Sequence, residues 1–108
     1  MTITCPEPIT AYYAAEKAND FEALARCFAP DARVLDEGRT IVGRAEIAAW
    51  MADAKRRYQH RTEVVNVRER DGVHVISVRV SGQFPNSPVT LEQSFRLAEG
   101  MIQVLEIH

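Results

Sequence analysis

Two polar residues stand where an alternating strand pattern calls for apolar ones, and they are the first candidates for chemistry. Asp36 shares the face of Ala32 and Val34 in a short alternating run, so its carboxylate points the way of the core. Either it opens the following Glu37-Gly38 turn by accepting backbone amides, or it serves as a base. Gln93 is flanked on its own face by Leu91 and Phe95 in mid-strand, where an unpaired amide costs about 1–3 kcal/mol. It needs a protein partner such as Tyr12, a buried water, or a ligand. Around these two, Tyr12, Tyr13, Trp50, Met51, Tyr58, Phe84 and Phe95 offer large apolar area, suited to the wall of a pocket and equally to an ordinary core. His60 directly follows a helical pattern, where an imidazole either reaches the mouth of such a pocket or sits exposed beside the helix's C-terminal carbonyls. A carboxylate and hydrogen-bond donors inside an apolar cup suit proton transfer next to a carbonyl.

Other chemistries lack their residues. His60, His74 and His108 form no i, i+4 pair and neither Cys5 nor Cys27 has a second cysteine nearby, so no metal site is expected. Five ungrouped glycines make no phosphate-cradling loop, and no serine lies in a Gly-x-Ser-x-Gly elbow, so no cofactor is expected either. Thirteen Lys and Arg against 15 Asp and Glu give a net charge of −2, interspersed along 108 residues, which offers no field for nucleic acid or an anionic membrane. The cations Lys55, Arg56 and Arg57 read as a helix's last turn, favoured by its carbonyls. Two cysteines are too few for a disulfide scaffold and read as reduced thiols. Met1 to Pro8 lack the basic start and apolar run of a signal peptide, and no long apolar stretch follows, so a cytoplasmic location is expected.

The elements that must hold these residues follow from periodicity. Thr4 and Glu7 have capping-box spacing and Pro6 suits a first turn, which predicts a helix over Pro6 to Ala18 with Ile9 and Tyr12 or Tyr13 inward. Asn19-Asp20 interrupts and recaps, and Phe21, Leu24, Ala25 and Phe28 fit a second, short helix that Pro30 stops. A small hairpin spans Ala32 to Val42 around Glu37-Gly38. Gly43 then starts a third helix, with Ile47, Trp50, Met51, Ala54 and Tyr58 on one stripe. After Tyr58 the period changes from 3.6 to 2. Thr62 to Arg70 and Val73 to Gly82 flank the hairpin turn Asp71-Gly72, and Phe84 to Pro88 is a loop. Strands Val89 to Ala98 and Met101 to Ile107 follow. One α+β domain over 1–108 is expected, with three N-terminal helices on a strongly curved antiparallel sheet and Phe21, Leu24, Phe28, Ile47, Trp50, Leu91, Phe95 and Leu97 in its core.

The runs Ala18-Asn19-Asp20-Phe21-Glu22-Ala23-Leu24, Phe28-Ala29-Pro30-Asp31-Ala32-Arg33-Val34 and Gly43-Arg44-Ala45-Glu46-Ile47-Ala48-Ala49-Trp50 resemble the nuclear transport factor 2-like superfamily, in its SnoaL-like and ketosteroid isomerase-like branch. The resemblance spans essentially the whole chain and implies a cone-shaped fold with a pocket at its wide end. Its members include isomerases, cyclases, dehydratases, hydrolases and domains that only bind or dimerise, so the fold alone fixes no chemistry. Tyr12, eight residues before Asp20, lies where the ketosteroid isomerases place an oxyanion-binding tyrosine. Asp36, five residues after Asp31, lies where they place the general base. Gln93, three residues before Arg96, replaces their second oxyanion donor, a neutral carboxylic acid, with an amide that donates a weaker hydrogen bond. Trp50, Met51, Tyr58, His60, Phe84 and Phe95 are the expected wall for a small apolar or aromatic molecule, and the resemblance strengthens that expectation for Tyr12 and Trp50. The resemblance also implies a homodimer through the sheet face that carries Thr90, Glu92, Ser94 and Arg96.

Overall fold

Helix α1 (Glu7–Ala18) carries the inward stripe that organises the rest of the chain. In the computed structural model, which describes residues 5–108, its N-cap is Pro6 with no side-chain cap; Thr4, the expected capping residue, lies outside the described residues. The helix ends where Asn19 turns left-handed (φ 55°) and its N–H bonds back to the Ala15 and Glu16 carbonyls. Asp20 recaps at once, its carboxylate accepting the Ala23 amide, and α2 (Phe21–Arg26) follows. This helix ends two residues before the Phe28 that closes the stripe. Phe28 instead opens strand β1 (Phe28–Asp36), because the Ile102 amide takes the Cys27 carbonyl at 2.9 Å and the ladder captures the chain there. Pro30 therefore does not stop a helix. It sits exposed in a stretch of β1 where the register shifts, so its missing N–H breaks no ladder bond.

Strand β1 returns through Glu37 (φ 51°) and Gly38 (φ 77°) into β2 (Arg39–Val42), the two left-handed residues that a tight hairpin turn requires. Helix α3 (Arg44–Tyr58) comes next, and its last turn closes with left-handed Gln59. Then β3 (Arg61–Arg70), β4 (Val73–Ser81), β5 (Val89–Ala98) and β6 (Met101–Ile107) run as a meander of hairpins. The sheet order is β2-β1-β6-β5-β4-β3. All neighbours are antiparallel except β1 and β6, which lie parallel and join the N-terminal hairpin to the meander. A bulge at Val65 in β3 breaks the register with β4 and bends the sheet, which curls without closing.

The three helices fill the hollow of that sheet. Leu24, Phe28, Ile47 and Phe95 are fully buried, joined by Ile9, Tyr12, Ile76, Ile102 and Leu105. Phe21, Trp50, Leu91 and Leu97 pack against this core while remaining half-exposed. Alternation on β5 places Gln93 and Phe95 inward and exposes Thr90 and Arg96, with Glu92 and Ser94 half-buried between them. Among the described residues no helix is long and apolar enough to cross a membrane.

Candidate functional site

The inward face of α1 carries Ile9, Tyr12, Tyr13 and Glu16, the i, i+3, i+4, i+7 positions of an amphipathic helix. Tyr12 is 1% exposed and meets Tyr13, Phe28 and Phe95 edge-to-face, with ring centroids 5.1, 5.8 and 5.6 Å away. Tyr13 also packs on Phe95, and its hydroxyl donates to the Gln93 Oε1 at 2.6 Å. The partner that mid-strand Gln93 needs is thus Tyr13 and not Tyr12. Among the described residues neither the Gln93 amide nitrogen nor the Tyr12 hydroxyl makes a side-chain hydrogen bond, and no fully buried side-chain polar atom is left without a partner. Burial pushes the Tyr12 phenol well above its ordinary value, and the charges of Glu16 and Asp36 push it further, so it stays protonated. Burial does the same for Tyr13.

Asp36 ends β1, paired across the turn with Arg39. Its Oδ2 accepts the Trp50 indole N–H at 3.1 Å, and no backbone amide among the described residues bonds to it. The carboxylate is therefore held by a side chain from α3 and does not cap the turn. Glu37 and Gly38 form that turn on their own backbone. One carboxylate oxygen remains uncommitted, beside a protonated phenol and an apolar interior.

The aromatic wall divides into two groups. Met51 (3% exposed) and Phe95 (0%) belong to the filled core around Tyr12. Tyr58 and Phe84 form their own edge-to-face pair at 6.2 Å, half-buried, with the Arg57 guanidinium over the Tyr58 ring. Trp50 is half-buried and also lines an open cleft of about 410 Å³ with Arg39, Glu46 and Asp53.

His60 is brought to a different place, a wider open cleft of about 960 Å³. Glu16 and Lys55 form its floor as an ion pair with Nζ to Oε1 at 3.4 Å, their side chains 4% and 12% exposed. The ammonium also donates to the His60 carbonyl at 2.7 Å. Burial raises the Glu16 carboxyl, and Lys55 and the Thr62 hydroxyl offset part of that. Burial and the Lys55 charge push the His60 imidazole down to about 4, so it is neutral at pH 7. Gly82 fixes this wall: a Cβ there would lie 2.7 Å from the Tyr58 carbonyl oxygen and 2.8 Å from the His60 Cα. Lys55 is thus no surface cation, whereas its neighbours Arg56 and Arg57 stay exposed and bond Asp53. The signal for Glu16 was its place on the inward stripe, one turn beyond Tyr12. Lys55 carried none, because its partner is 39 residues away.

Among the described residues no group of three His, Cys, Asp or Glu stands close enough to hold a metal ion. Neither of the two clefts is lined by Tyr12, Gln93 or Asp36.

A helix-filled, curled six-stranded sheet of this topology is the cone-shaped fold of nuclear transport factor 2-like and ketosteroid isomerase-like proteins. Within that class the chain belongs to the SnoaL-like domain family, which matches residues 9–104. A candidate polyketide cyclase from Sinorhizobium meliloti is 38% identical, with a TM-score of 0.93 over 96% of this chain and 95% of that one. A protein of ketosteroid isomerase-like fold from Catenulispora acidiphila, solved with trimethylamine, is 22% identical with a TM-score of 0.84 over 97% of this chain and 86% of that one. A nuclear transport factor 2-like protein of unknown function from Cytophaga hutchinsonii is 12% identical with a TM-score of 0.80 over 100% of this chain and 91% of that one. No match to a curated protein was found.

Proposed function

We propose that the protein is a small-molecule enzyme of the isomerase, cyclase or dehydratase type, moving a proton on an apolar, carbonyl-containing substrate without a cofactor. The observation that carries this reading is the inner cluster: the Tyr12 hydroxyl and the Gln93 amide nitrogen make no side-chain hydrogen bond among the described residues, and Asp36 keeps one oxygen uncommitted. In the proposed reaction Asp36 takes a proton from the carbon next to the carbonyl, and the Tyr12 hydroxyl and Gln93 amide hold the enolate oxygen. Trp50 is a positioning residue, since its indole fixes one Asp36 oxygen and so orients the other. The amide is a weaker oxyanion donor than a carboxylic acid, which suits a substrate whose carbon acid is already activated. The 38% identical candidate cyclase supports the same class of chemistry.

A second reading is a binding or dimerisation domain without turnover, and the filled interior around Tyr12, Met51 and Phe95 favours it. Solvent-deuterium exchange into a panel of cyclic enones and 1,3-dicarbonyl compounds separates the two. Exchange above background that Asp36→Asn abolishes and Gln93→Asp retains supports the enzyme. Exchange unchanged by Asp36→Asn removes that reading.

A further inference from the structure

The floor of the wide cleft is costly for what it contributes to folding. A carboxylate and an ammonium taken out of water regain their desolvation penalty only in close, fully hydrogen-bonded geometry. At 3.4 Å the Lys55–Glu16 contact is longer than a strong charge-assisted hydrogen bond, and the ammonium has a third N–H beyond those given to Glu16 and His60. Above the floor the charges do not balance. Lys17 and Arg61 line the cleft without an ion pair among the described residues, against the one unpaired carboxylate of Glu63, while Arg56 is held by Asp53. The wall between floor and rim includes the Phe21 ring, which is half-exposed although it packs against the core.

We propose that the cleft between the C-terminal turns of α1 and α3 and the start of β3 binds a small organic carboxylate with an apolar body. The carboxylate sits between the Arg61 guanidinium and the Lys55 ammonium, and the body lies against Phe21. The neutral His60 imidazole adds no charge and faces the same space. Glu16 holds the ammonium in place when the cleft is empty and competes with the incoming carboxylate for it. This site is independent of the Asp36, Tyr12 and Gln93 chemistry, so either can fail without the other.

The test is chemical-shift mapping with sodium benzoate, benzamide and benzylamine at pH 7, each raised to about 10 mM, enough to saturate a site of ~1 mM Kd. Benzoate is expected to shift the Phe21 and His60 resonances, and benzamide and benzylamine to do so far more weakly. Arg61→Gln, an exposed position, is expected to weaken benzoate about fivefold to tenfold, and added salt to weaken it further. Glu16→Gln is expected to tighten benzoate by removing its competitor. Equal binding of benzamide, preference for benzylamine, insensitivity to Arg61→Gln, or no shift with benzoate would each overturn the proposal.

Discussion

Tyr12 and Glu16 lie one turn apart on the same face of α1, yet they look into opposite environments. Tyr12 is ringed by three aromatic rings and stays uncharged. Glu16 sits on a charged floor under an open cleft. The two regions solve the burial of polar groups in different ways. Around Tyr12 the groups are neutral, so desolvation raises the phenol pKa values and keeps both tyrosines protonated. Around Glu16 the groups are ionised, so each needs the other, and removing one exposes the whole cost of the second. A single helix face thus carries a dry, neutral cluster at one turn and an ionised pair beneath an open cleft at the next.

That contrast is broken most severely from the dry side. Phe95→Ala empties the space between Tyr12 and Tyr13 and is expected to cost about 3–5 kcal/mol, read from the urea midpoint. On the charged side, Lys55→Met leaves Glu16 buried without a partner and is expected to cost about 3 kcal/mol at pH 7, most of which Glu16→Gln in the same chain restores. The pH dependence has a definite sign. The folded pKa of Glu16 lies above its unfolded value, so the stability this group lends is complete below the ordinary 4.5 and is lost as pH rises through the folded value. Glu16→Gln alone should therefore gain on the parent protein as pH rises through that window. If the difference between the two proteins stays flat with pH, Glu16 is not buried as described.

Smaller changes sharpen the same comparison. Gly82→Ala drives a methyl into the Tyr58 carbonyl and the His60 backbone and is expected to cost about 1–3 kcal/mol, with the shift changes centred on the charged cleft. Trp50→Phe removes one hydrogen bond to a half-exposed carboxylate, a stability loss of about 1 kcal/mol. It should lower the exchange rate at saturating substrate more than it changes substrate binding. The smallest effect is the titration of His60. Its imidazole is expected to titrate near 4, and because that lies below its ordinary 6.5, its share of stability is present above 6.5 and lost as pH falls toward 4. A midpoint near 6.5 by NMR would show an exposed imidazole instead.

Periodicity made most of the fold legible. The stripe Ile47, Met51 and Tyr58 marks α3, and the alternation around Gln93 places it inward on β5. What the sequence did not reveal depends on contacts between distant residues. Phe28 fits a helical stripe locally, but pairing with Ile102, 74 residues on, draws it into a strand. The same pairing makes β1 and β6 parallel, an arrangement that no hairpin signal encodes. At the site, Gln93's need for a partner was readable, whereas the choice of Tyr13 over Tyr12 depends on how α1 rotates against the sheet. Asp36 on an inward face was readable too, but the Trp50 indole that holds it comes from another element. Lys55 reads as a last-turn surface cation until α1 brings Glu16 beside it.

The most direct measurement is a pair of chemical-shift maps on the same protein, one with 2-cyclohexenone and one with benzoate. The account predicts two separate sets of perturbed residues: Tyr12, Tyr13, Trp50 and Gln93 for the neutral ketone, and Phe21, His60 and Thr62 for the carboxylate. A single shared set, or a ketone that leaves Tyr12 and Gln93 unmoved, would contradict it.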